Sequence, residues 1–183
     1  MNLLKYTAIL MMLAFATSCD STDDMSIQEY YVTSEKNDNY LMLDIPVSIV
    51  SLSDDASNDA KKAYKSIDKV NLLAFKLDDK NTEDFLAEKQ KLNKILKDPK
   101  YTELMRVNKE GVKFIAKYIG TENAMDEVLV YAYDKDKGFA LARVLGDDMN
   151  PESMYSLLEN IKDMDENSNS FKQMESFFGK EKY

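Results

Sequence analysis

The sequence predicts an α+β fold: one largely antiparallel sheet of about five or six strands, with helices packed on one face. Three observations lead there. The hydrophobic period is helical up to Pro99 and alternating from Tyr101 onward. The alternating part reads as two consecutive hairpins, joined by Asn108-Lys109-Glu110-Gly111 and by Asp134-Lys135-Asp136-Lys137-Gly138, each connection containing a glycine. Asn150-Pro151 then opens a last helix, with Asn as cap and Pro at the first helical position.

The elements follow in order. Asp20 to about Asn39 is polar without a sustained period and reads as a tether, within which Tyr30-Tyr31-Val32 fits a short strand. Tyr40 to Ile45 is apolar, bounded by Asn37-Asp38-Asn39, and reads as the first strand. Pro46 suits a first helical turn. Val47, Ile49, Val50 and Leu52 fit one face of that turn, or a strand, given their β-branching. Ser53 to Asn58 is a loop. Asp59 to Ile67 is a helix, with Ala60, Ala63, Tyr64 and Ile67 on one face.

Lys69 to Leu77 is the second strand, and its apolar centre predicts burial on both faces. Asn81 or Thr82 caps the next helix, whose first turn carries Glu83 and Asp84 and whose stripe is Phe85, Leu86, Leu92, Ile95 and Leu96. Asp98-Pro99 ends it. The hairpin strands are Thr102 to Val107 with Val112 to Ile119, and Glu127 to Tyr133 with Phe139 to Leu145. Met154, Leu157, Leu158 and Ile161 line the final helix. Asp163 to Ser170 is polar and loose, and Phe171 to Phe178 fits a short amphipathic helix. The organisation is a signal segment at 1–18, a cysteine and acidic tether at 19–39, one domain at 40–163, and a polar tail at 164–183.

The beginning of the chain predicts export and anchoring. Met1 to Lys5 is weakly basic, and Tyr6 to Ala16 is an apolar run of about 11 residues, signal-like in length and too short to span a bilayer. Ala16-Thr17-Ser18-Cys19 resembles a bacterial lipobox, with Ala16 where Leu is usual. Lipidation of Cys19, the sole cysteine, with two or three acyl chains gives stable membrane attachment. An ordinary secretory signal with an incidental cysteine is the alternative. Asp20-Ser21-Thr22-Asp23-Asp24 resembles an acidic signal for the outer face of the outer membrane, and fits a solvated spacer as well. The expected location is the outer membrane, with the domain periplasmic or surface-exposed.

Composition narrows the function. The net charge is −9, and loss of the signal, with its single Lys5, makes it −10. That argues against nucleic acid as a partner, and against electrostatic adhesion to anionic lipid. The chain has no His and no Trp, which excludes imidazole-based triads and His-ligated zinc and removes the best aromatic stacking platform. With 5 Gly and 3 Pro there is little material for phosphate-cradling loops, and no cofactor is implied.

Several stretches carry a pattern found elsewhere. They are the strand Lys69 to Asp78 with its following helix Thr82 to Lys97, Tyr101-Thr102-Glu103-Leu104-Met105-Arg106-Val107, and Val112 to Tyr118. Asp126-Glu127-Val128-Leu129-Val130 and Ala142-Arg143-Val144-Leu145-Gly146-Asp147 complete it. Together they resemble the Bacteroidota family catalogued as domain of unknown function 4252, from roughly Tyr40 to Ile161. The resemblance implies no activity and no site.

Candidate sites are few. Asp165 to Ser170 loosely follows the start of a calcium loop but lacks the sixth-position Gly and the twelfth-position Glu, so it reads as a linker. Asp147-Asp148 and Asp134/Asp136 read as loop residues before they read as paired carboxylates or metal ligands. Tyr131 and Tyr133 share a strand face: open, that face is an aromatic strip for a peptide or glycan, and covered, it is core. Met105, Met154 and Met174 sit on apolar positions as core filler. The expected function is a non-enzymatic lipoprotein, with no catalytic or metal-binding residues, that binds another envelope protein or polymer. A structural or stress-response envelope role is the alternative, and a hydrolase without His the remote third.

Overall fold

Leu73-Ala74-Phe75, Phe139-Ala140-Leu141-Ala142 and Tyr131-Ala132-Tyr133 alternate large side chains with alanine. Neighbouring strand residues point to opposite faces, so large side chains gather on one face and alanines on the other. The computed structural model, which describes residues 25–109 and 111–178, shows what this alternation builds. The expected signal, Cys19 and the acidic Asp20 to Asp24 lie outside the described residues, as does the end of the tail from 179.

The first half contains α1 (Ile27–Ser34), β1 (Tyr40–Ile45), a 3-10 turn (Val47–Ile49), β2 (Val50–Leu52), α2 (Asn58–Ser66), β3 (Ile67–Lys76) and α3 (Thr82–Ile95). The second half contains β4 (Thr102–Lys109), β5 (Val112–Thr121), β6 (Ala124–Asp134), β7 (Gly138–Met149), α4 (Pro151–Glu159), β8 (Ile161–Met164) and α5 (Asn169–Phe178). Six strands form one antiparallel sheet in the order β1-β3-β7-β6-β5-β4, and β2 pairs with β8 in a separate ribbon. The protein is therefore α+β with an antiparallel sheet, and both expected hairpins are present.

The register fixes the two faces. Leu73, Leu141, Tyr131, Ile115 and Arg106 run across the sheet in one row, and Ala74, Ala140, Ala132, Phe114 and Val107 in the next. The first row belongs to face one, which α1 and α3 cover. There Tyr30, Tyr31, Phe85, Leu92 and Ile95 meet Leu73, Phe75, Leu129, Tyr131, Phe139 and Leu141 in a single core. Phe75 is its centre, stacked on Phe139 at 5.5 Å and edge-on to Tyr40 at 5.0 Å. Burial of β3 on both faces holds, since Leu73, Ala74 and Phe75 are all fully buried.

Face two is covered only in part. At one end Met154 of α4 packs against Tyr118, Met125, Val128 and Met149. Helix α2 packs on α4, and Ser57, which caps α2, shares a 2.8 Å hydrogen bond with Ser156. Helix α5 lies against β1, and Lys76 Nζ, at the end of β3, donates to the Phe177 carbonyl. Helices thus meet both faces where one face was expected: α1 and α3 form the extensive layer, and Met154 supplies the smaller second contact.

Other local expectations are corrected. Tyr30-Tyr31-Val32 is helix, not strand, and residues from Met25 onward belong to the domain, not to a tether. The cause is a capping box: Ser26 Oγ accepts from the Glu29 N–H, and Glu29 Oε2 accepts from the Ser26 N–H at 2.8 Å. Ile27, Tyr30, Tyr31 and Ser34 then form one buried stripe. Pro46 precedes the 3-10 turn with extended backbone. Asn81 precedes α3 without capping it by its side chain, which bonds the Lys76 carbonyl and the Asp78 N–H and so holds the β3–α3 turn. Leu86 is exposed, and Asp163 and Met164 pair with β2. Asn150 does cap α4, accepting from the Glu152 and Ser153 N–H groups. Gly138 has φ 123°, and a Cβ there would lie 2.0 Å from the Phe75 carbonyl oxygen, so only glycine lets β7 start beside β3.

Candidate functional site: an open sheet edge beside a sealed polar core

Tyr131 and Tyr133 share face one, beneath α3. Tyr131 is buried, and its hydroxyl has no hydrogen-bond partner among the described residues. The Tyr133 ring stacks on Phe85 at 6.0 Å, and Lys89 of α3 reaches over it, donating to its hydroxyl at 2.9 Å. They do not form an open strip, because Phe85 and Lys89 of α3 cover that face. Cys19 lies outside the described residues. Asp165 accepts from the Asn167 N–H, and Asp134 from the Asp136 and Lys137 N–H groups, so both serve their turns. Among the described residues no three acidic side chains are placed to hold a metal ion, and no helix is long and apolar enough to cross a membrane.

Two polar clusters lie on the α1 side. Between α1, β1 and α3 is a cleft of about 220 Å³ lined by Tyr30, Ser34, Tyr40, Glu88 and Lys91 among others. The Tyr30 and Tyr40 hydroxyls are 2.8 Å apart, Tyr40 donates to Glu88 Oε2 at 2.9 Å, and Lys91 donates to Glu88 Oε1 at 2.7 Å. Burial pushes both tyrosine hydroxyls well above their ordinary range, so they remain protonated donors at neutral pH. The groups satisfy one another and staple α1 to β1 and α3.

The second cluster is an ion pair under α1. Arg143 Nη2 donates to Glu127 Oε2 at 2.8 Å, with side chains only 15% and 9% exposed. Arg143 also donates to Gln28 of α1, and Tyr31 donates to the Leu141 carbonyl at 3.0 Å. Glu127 Oε1 and Arg143 Nε have no partner among the described residues. Removing one member would leave a buried charge uncompensated, so the pair locks α1 in register over β6 and β7.

What remains open is the other end of the sheet. β4 is a terminal strand, and among the described residues no strand pairs with its outer edge. All eight of its residues are exposed, Leu104, Met105 and Val107 included. On face two Met105 and Val107 continue into Phe114 of β5 and Val130 of β6, both also exposed, over a floor of Ala116, Ala132, Ala140 and Ala142. Met105 is 52% exposed, which corrects its reading as core filler. The period showed that these residues form strands but not which strand ends the sheet. The available signal was composition: Arg106 and Lys109 interrupt the apolar positions as charges do on edge strands.

No curated protein and no solved structure matches the chain. The model of the family described as "Domain of unknown function (DUF4252)" matches residues 30–157, from Tyr30 in α1 to Leu157 in α4, and takes in the whole six-stranded sheet. That is well over half of the chain, and the protein belongs to the DUF4252 family.

Proposed function

We propose that this protein is a lipid-anchored Bacteroidota envelope lipoprotein, held at the outer membrane by Cys19, which binds another envelope protein through the open β4–β6 part of its sheet and catalyses no reaction. The observation that carries the binding role is the unpaired β4 edge with its contiguous exposed apolar side chains. Contiguous exposed apolar surface marks an interaction site more often than isolated exposed residues do. The anchoring role is supported by the signal-like start and the lone Cys19.

The test is made in cells with the full chain. A photo-crosslinking residue at Phe114 is expected to give one discrete adduct, and the same residue at exposed Leu86 none. Equal adducts from both positions, or none from either, would remove the binding role. Cys19→Ala is expected to move the protein from the membrane to the soluble fraction. Its retention in the membrane would remove the anchor without touching the binding role.

A further inference from the structure

Resting on that reading of the open sheet, we infer that the partner contributes an extended segment that adds to β4 as a seventh strand, with apolar side chains on face two and acidic side chains on face one. The sheet ends at β4, whose outer backbone groups have no strand beside them among the described residues. An extended segment that pairs there gains main-chain hydrogen bonds, and its alternate side chains are read by the two faces. The pairing register between β4 and β5 assigns those faces. Met105 and Val107 lie on the row of Ala116 and Phe114, which is face two, and Arg106 lies on the row of Ile115, which is face one.

Face one beside this edge is basic. Arg106, Lys113 and Lys117 stand there against one acid, Glu103, which Arg106 holds at 2.7 Å. The hairpin from Thr102 to Thr121 carries four cations (Arg106, Lys109, Lys113, Lys117) and two acids (Glu103, Glu110), within a chain of net charge −9. A local positive edge on an acidic protein selects an acidic partner and steers its approach. A second copy is the poorer occupant. Antiparallel pairing of β4 with itself would bring two such cationic edges together, and like charges across strands destabilise. The pairing irregularity between Glu103 and Met105 restricts regular addition to the segment from Met105 onward.

The test uses the full chain and two peptides, one alternating valine with glutamate and one alternating valine with lysine, both too short to fold alone. The glutamate peptide is expected to bind at least tenfold more tightly and to slow amide exchange in β4 while leaving β1 unchanged. Arg106→Glu is expected to reverse the preference, and Val107→Asp to weaken both peptides. Equal binding, no binding, or binding without protection of β4 amides would overturn strand addition. So would a dimer in light scattering that Val107→Asp dissolves, or Val107-dependent binding to phosphatidylglycerol vesicles. If crosslinks from position 114 persist while β4 is never protected, strand addition fails and the envelope-binding role stands. If the crosslinks are absent as well, both fail.

Discussion

The two faces of the sheet come from the same strands and end in opposite states. Face one carries Tyr40, Leu73, Phe75, Phe139, Leu141 and Tyr131, closed beneath two helices that add Tyr30, Tyr31 and Phe85. Face two carries Ala74, Ala140, Ala142, Ala132 and Ala116; Met154 of α4 covers it over Tyr118, Val128 and Met149, and further along the same strands Phe114 and Val130 stay exposed. The difference teaches where stability resides and, on the reading proposed above, where recognition does. Aromatic area buried on face one holds the fold, whereas alanines on face two leave a shallow floor that another chain can approach closely.

Phenylalanines on the two faces provide the sharpest contrast. Phe75 is fully buried and Phe114 is 37% exposed. Phe75→Ala is expected to cost about 3–5 kcal/mol, lowering the thermal midpoint by roughly 10 °C or more. Phe114→Ala is expected to cost less than about 1 kcal/mol. Denaturant titration of both variants checks this, and equal losses would break the comparison.

Alkali should act chiefly on face one. Burial raises the hydroxyls of Tyr30, Tyr31, Tyr40 and Tyr131 above their ordinary range, and pushes Tyr101 up to about 12. Their folded pKa values exceed the unfolded value of about 10, so the folded state keeps protons that the unfolded state loses. Stability is then unchanged below about pH 9 and falls as pH rises through 10 and beyond, by up to about 1.4 kcal/mol per pH unit for each group. Tyr30→Phe should make that fall shallower. A flat profile to about pH 11 would mean that these hydroxyls are open to solvent.

The smallest effect contrasts two alanines in one row of face two. Ala74 is fully buried, whereas Ala132 is only half-buried beside exposed Phe114. Ala74→Leu is expected to cost about 1–3 kcal/mol through overpacking. Ala132→Leu should change stability by no more than about 0.5 kcal/mol. Equal costs would mean that the β4–β6 end is as closed as the rest.

The strands were legible because alternation survives any packing arrangement, and α4 because Asn150-Pro151 is a local signal. Helix α1 was hidden although its capping box, Ser26 to Glu29, stands in the sequence. Its stripe is short, and two tyrosines fit a strand as well as a helix. The fate of Tyr131 and Tyr133 depended on Phe85 and Lys89, more than 40 residues away, and no local pattern reports such distant cover. Strand order was invisible for the same reason: β3 lies between β1 and β7, and only the register shows that β4 is left at the rim.

That central position of β3 also sets the timing of assembly. A ribosome that has released only the first half has made β1 and β3, a two-stranded ribbon that is marginal in water by itself. The meander from β4 to β7 forms from neighbouring segments as it emerges, but face one cannot close until β7 receives β3. The bond from Tyr31 to Leu141 spans 110 residues, and that between Ser57 and Ser156 spans 99. Contacts of such separation form late. The core on face one therefore closes only when nearly all of the chain has been made, a delay that suits a polypeptide which, on the reading proposed above, must pass through a membrane before it folds.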